Sequence, residues 1–136
     1  MSNVDEAAFE QFICDWLVST GGYDAIKTGN PKDPQPDFDV VRALDTAELF
    51  RFIGATQSVE WDKLVTLYGG DITKAQKGFA DRVAKEQDKR GTVDVLRHGV
   101  VDLGQTIKLA FFRPASGLSP ELIERYGKNR LTVTRQ

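Results

Sequence analysis

Residues 45–98 read DTAELFRFIGATQSVEWDKLVTLYGGDITKAQKGFADRVAKEQDKRGTVDVLRH, and their spacing decides the fold class. Asp45 stands where a helix N-cap belongs, with Glu48 three positions on as its capping-box partner. Leu49, Phe50, Phe52 and Ile53 follow at helical spacing and predict one apolar face. Ser58 is a second N-cap candidate, ahead of a helix carrying Trp61, Leu64, Val65 and Leu67. Gly69 and Gly70 end that helix, and Asp71 opens a longer charged one that reaches Arg90. Its predicted buried face is Ala75, Phe79, Val83 and Ala84, with the Lys, Glu and Asp positions in solvent. A brief helix over 91–98 ends at His98-Gly99, the glycine serving as a left-handed cap.

On the N-terminal side, Phe9, Phe12, Ile13, Trp16 and Leu17 make an apolar stripe on a helix over 3–19, which stops at Ser19-Thr20-Gly21-Gly22. A short helical turn is expected around 23–27, then a surface loop in the proline-rich TGNPKDPQPDF (28–38). On the C-terminal side the pattern changes. Residues 100–103 and 107–112 read as two β segments of a hairpin joined through Gly104-Gln105, and 113–117 as a turn. Ser119 caps a helix with Pro120 at its first position, running to Asn129, and 131–134 alternate as a strand. The expected class is α+β: predominantly helical, with a small β element late in the chain. The last strand either belongs to a sheet that continues elsewhere or pairs with the 100–112 hairpin.

A chain of 136 residues suits a single domain with its own core. No apolar run is long enough to span a bilayer, and the acidic start MSNVDEAAFE has no basic region of a secretory signal, so no membrane partner is expected. One cysteine, Cys14, excludes an internal disulfide and a cysteine-based zinc site, and suits a reducing, cytoplasmic setting. Charge is unevenly divided. Residues 1–73 hold five Lys and Arg against thirteen Asp and Glu, whereas residues 74–136 hold thirteen against seven. The second part is therefore able to face phosphate.

Nucleophilic catalysis finds little support, because nothing basic neighbours Cys14 in sequence and the lone His98 reads as a cap-region residue. No phosphate-cradling glycine loop is present. Neither Glu-x-Lys nor Asp-x-Lys occurs; Gln87-Asp88-Lys89 has the Gln-x-Lys spacing, with Pro36-Asp37 a matching dipeptide, but it falls in a helical stretch and reads as coincidence. On the first helix Glu6 and Glu10 sit about 60° and 100° around from Phe9, on the edge of the apolar face. Acids at that spacing are able to reach a metal held by a neighbouring sheet, or simply to complement the helix N-terminus. For DNA, residues 74, 77, 81, 85 and 88 share a helix face that Asp81 and Asp88 interrupt. The cleaner basic segment is 125–135, where Arg125, Lys128, Arg130 and Arg135 occur without an acid, a pattern suited to phosphate contact without base specificity.

KRGTVDVLRHGVVDLG (89–104) and FFRPASGLSPELIERYGKNRLTVTRQ (111–136) resemble the N-terminal region of the R (restriction) subunit of type I restriction-modification enzymes. EAAFEQFICDWLVSTGGY (6–23) and FIGATQSVEW (52–61) fit the same pattern, so the resemblance runs in order along nearly the whole chain. It implies part of a restriction-endonuclease-like nuclease domain: a helix bearing a glutamate, then a sheet bearing an aspartate, a Glu-x-Lys and a later Gln-x-x-x-Tyr. The helix glutamate matches Glu6, as a catalytic and metal-binding acid, with Glu10 the alternative. The resemblance further implies Mg²⁺ at the nuclease site, ATP used by motor domains, double-stranded DNA as substrate, and modification and specificity subunits as partners. In that family the pattern passes from NRLTVTRQ into the aspartate strand, so the core acids are expected after Gln136 and these residues alone are expected to be inactive. Residues 46–90 are expected to be an insertion around the nuclease core. The competing expectation is a non-enzymatic helical protein-interaction module.

Overall fold

A computed structural model of the chain describes residues 3–25, 38–39, 41–114 and 117–133. Six helices and three two-stranded sheets appear among them: α1 (Asn3–Ser19), β1 (Asp24–Ala25), β2 (Phe38–Asp39), β3 (Leu44–Asp45), α2 (Thr46–Thr56), α3 (Ser58–Leu67), α4 (Ile72–Arg90), α5 (Thr92–His98), β4 (Val100–Asp102), β5 (Gln105–Ile107), α6 (Pro120–Gly127) and β6 (Thr132–Val133). The fold is α+β and mostly helical, as expected. The chain divides into two compact units, one containing α1, β1 and β6 and the other the elements from β2 to α6.

The larger unit holds the core. Ile53, Leu64, Phe79, Val83, Val95, Val100 and Ile107 are fully buried, drawn from α2, α3, α4, α5 and the β4–β5 hairpin. Phe50 and Trp61 lie beside them, with Phe50–Trp61 centroids at 5.3 Å and Trp61–Phe79 at 6.0 Å in an edge-on arrangement. Such tilted contacts suit the aromatic quadrupole. The expected face of α4 is largely right: Ala75, Phe79 and Val83 are buried and Ala84 half-buried. Its charged positions are not all in solvent, however. Glu86 is only 8% exposed and lies between Arg82 (3.1 Å) and Arg90 (3.1 Å) on the same helix. Spacing of four residues along a helix makes that placement possible.

Helix starts follow the local chemistry. Asp45, Asp71 and Ser119 each accept a hydrogen bond from the backbone N–H three residues on, and Gly99 ends α5 with φ at 74°. Ser58 is a correction: it is the first residue of α3, and Gln57 occupies the cap position without a side-chain cap bond. The Gln57 amide is committed elsewhere. Its Nε2 donates to Lys108 O at 2.8 Å and its Oε1 accepts from Lys108 N at 2.6 Å.

That pair of bonds explains why β5 stops at Ile107 and does not continue to 112 as expected. The backbone of Lys108 is turned to a side-chain amide in place of a strand. Phe111 is held in the same way, its N–H donating to Asn129 Oδ1 (3.0 Å) and its carbonyl accepting from Asn129 Nδ2 (2.5 Å). Asn129 thereby lies outside α6, which ends at Gly127 and not at Asn129. The hairpin turn is Leu103-Gly104, with Asp102 opposite Gln105, one residue earlier than the expected Gly104-Gln105.

In the smaller unit, strand β1 at Asp24–Ala25 replaces the helical turn expected around 23–27. It pairs in parallel with β6, Asp24 opposite Thr132 and Ala25 opposite Val133. The last strand therefore does not join the 100–112 hairpin. The proline-rich loop over 28–37 lies outside the described residues. On α1, the apolar stripe is present but uncovered: Phe9 is 61% exposed and Phe12 67%. Among the described residues, no helix is long and apolar enough to cross a membrane.

Candidate functional site

The sequence-predicted acids stand on α1, which lies against both β1 and β6. Glu6 is exposed and Glu10 half-buried. The two strands are joined by Asp24 N–H donating to Leu131 O at 2.8 Å, and by an ion pair from Arg130 Nε to Asp24 Oδ2 at 3.0 Å. Among the described residues, no three His, Cys, Asp or Glu side chains converge in a way that would hold a metal ion. Glu6 and Glu10 as placed therefore do not fit a Mg²⁺ site by themselves, since a divalent ion needs several oxygen ligands from more than one direction. His98 faces its own helix, with Nδ1 3.1 Å from Asp94 Oδ1 and 3.2 Å from Asp94 O. That is the expected cap-region role.

Three of the four predicted DNA-binding cations have internal partners. Arg125 pairs with Glu121 at 2.7 Å and covers the Phe111 ring at 5.5 Å. Lys128 donates to Ala55 O at 3.2 Å and stands 3.5 Å from Glu124. Arg130 holds Asp24, and Arg135 lies outside the described residues. The sequence shows 125–135 as free of acids, whereas Glu121 and Glu124 reach it from one helical turn earlier.

A second charged region was less apparent from sequence. Arg42 reaches across to α4, its Nε 2.6 Å and its Nη2 2.5 Å from Asp81 Oδ1, while its Nη1 pairs with Asp39. The Arg42 backbone N–H and guanidinium hold the Asp39 carboxyl below its usual range. A groove of about 340 Å³ opens beside this cluster, lined by Arg42, Thr46 and Phe50 on one side and Thr73, Gln76 and Lys77 on the other. Asp81, which in sequence breaks the lysine face of α4, is thus bound by an arginine 39 positions away. No local pattern signals that pairing.

A third cluster is structural. Tyr68 at the end of α3 donates its hydroxyl to Asp102 Oδ2 at 2.7 Å, and Asp102 is buried on β4. Burial, followed by the bond to the Asp102 carboxylate, pushes the Tyr68 phenol up to about 12. Gly78 on α4 makes room for the ring: a Cβ there would stand 2.5 Å from the Tyr68 hydroxyl and 2.7 Å from its ring carbons. The phenol is thereby kept protonated as a donor and is not a nucleophile near neutral pH.

Comparison of the chain with known protein families, curated proteins and solved structures finds no match.

Proposed function

We propose that this chain is the N-terminal region of the R subunit of a type I restriction-modification enzyme and contributes to endonucleolytic cleavage of double-stranded DNA. The motifs over 89–104 and 111–136 support the family reading. The single structural observation in its favour is the β1–β6 pair lying against α1, because the resemblance implies a glutamate-bearing helix that accompanies a sheet. In this reading the domain is restriction-endonuclease-like and works in the cytoplasm. Glu6, with Glu10 the alternative, supplies an accessory acid at the rim of α1. Arg125, Lys128, Arg130 and Arg135 supply positive charge toward the DNA backbone once their internal partners are exchanged for phosphate.

Mg²⁺ and ATP belong, in this reading, to the whole subunit acting with its modification and specificity partners. The acids described here do not form a metal site, and the Asp…Glu-x-Lys core is not in these residues. The reading is tested first in the reading frame that follows codon 136. A strand bearing an aspartate and then Glu-x-Lys within about one β-hairpin is expected. A stop codon there, with no such motif, overturns the reading and leaves the helical interaction module. The second test is Glu6→Ala in the intact subunit assembled with its partners. Cleavage is expected to fall at least about tenfold with ATP hydrolysis retained; unchanged cleavage removes Glu6 from the site.

A further inference from the structure

We infer that the outward face of α4 is a docking surface for the phosphate backbone of a double helix. Lys74, Lys77, Lys85 and Lys89 lie within about 120° of one another around the helix axis. All four are exposed, and none has a side-chain partner among the described residues. Two acids share this face. Asp81 is engaged by Arg42, at 2.5 and 2.6 Å, which leaves Asp88 as the one carboxylate set against four unpaired lysines. Helix α4 is capped at its start by Asp71 and anchored through Ala75, Phe79 and Val83, so the lysines are displayed on a rigid element.

The kind of partner follows from what the face carries and lacks. From Lys74 to Lys89 the helix runs about 22 Å, the axial length of about six base-pair steps. Within that sector the one remaining residue is Gly78, and Arg82 and Ala84 flank it at equal angles, Arg82 paired with Glu86 and donating to Val101 O. A membrane surface requires an apolar face to enter the headgroup region, and this face has no apolar side chain. Single strands are held by aromatic stacking, and the Tyr68 ring that packs on Gly78 is tied through its hydroxyl to Asp102 and so is not offered to a base. Ammonium groups with no carboxylate partner suit the regularly spaced phosphates of a duplex. The inference uses only charges and pairings in the larger unit and stands whether or not the chain belongs to a restriction subunit.

The experiment is anisotropy of a labelled duplex of about 30 base pairs with the 136-residue chain, between about 50 and 200 mM salt. Four phosphate contacts give a slope of log K on log salt near −3.6, so affinity is expected to fall about a hundredfold across that range. Replacing Lys74, Lys77, Lys85 and Lys89 together by Gln is expected to reduce the magnitude of the slope by about 3.6, whatever the cations over 125–135 add to it. Replacing the same four by Arg keeps it, and so does Lys63→Gln, which removes an exposed lysine from α3. Circular dichroism checks that each variant is folded. A flat salt response of the unaltered chain overturns the inference, as does a slope that is unchanged in the folded Gln variant. Tighter binding to a single strand, to polyglutamate or to phosphatidylserine vesicles than to the duplex also overturns it. The nuclease reading is tested through Glu6 and the downstream frame, so either can fail without the other.

Discussion

Gln57 shows how much one side chain does in this protein. It is buried at the junction of α2 and α3, and its amide satisfies both the N–H and the carbonyl of Lys108, 51 positions away. Removing it would leave two backbone groups of Lys108 without partners in a half-buried setting, where the penalty falls toward the low end of the about 1–3 kcal/mol of a fully buried group. Gln57→Ala is therefore expected to lower the unfolding free energy by about 2 kcal/mol, read from a shift in the urea midpoint at unchanged slope. An unshifted midpoint would show that water replaces the amide without loss. In the sequence Gln57 is only a polar residue between two helical patterns, and nothing local marks Lys108 as its partner. Glu86 is a comparable case: its charge predicts exposure, but Arg82 and Arg90 one turn to either side let it be buried.

Among elements, those governed by neighbours in sequence were legible and those governed by distant partners were not. Asp45, Asp71 and Ser119 cap their helices because the bond each makes spans three residues. The joint between α3 and β4 spans 34 positions, through Tyr68 and Asp102. Its pH dependence has a definite sign. The folded phenol stands at about 12, above its ordinary 10.0, so its contribution to stability is complete below pH 10 and is lost as pH rises through 12. Denaturant midpoints measured from pH 9 to 12 are expected to fall more steeply for the unaltered chain than for Tyr68→Phe. Parallel curves would show that the bond to Asp102 does not couple titration to folding. The early end of β5 has the same kind of cause, since an alternating segment reads as strand until Gln57 and Asn129 occupy its backbone.

Across the molecule, burial is unequal between the two units. Among the described residues, all the fully buried side chains belong to the unit from β2 to α6, and none in α1 is buried. Local opening is governed by how much apolar contact must be broken. Backbone amides of α1 are accordingly expected to exchange with deuterium at least about tenfold faster than those of α4 around Phe79 and Val83. Equal protection in the two helices would show that the Phe9 and Phe12 face is covered in solution. The candidate sites divide along the same line. Residue type and spacing identify Glu6 and Glu10 as acids on the edge of an apolar helix face, but whether other ligands meet them depends on chain-distant contacts. Likewise the lysines of α4 are visible as a face in sequence, while Asp81 looks like an interruption until Arg42 binds it. The chain alone fixes its helices, their caps and their apolar faces, because these depend on backbone geometry and hydrogen bonds within a few residues. Folding alone fixes which faces are covered, which charges pair between elements and where strands stop, because each of those depends on a partner that the sequence holds far away.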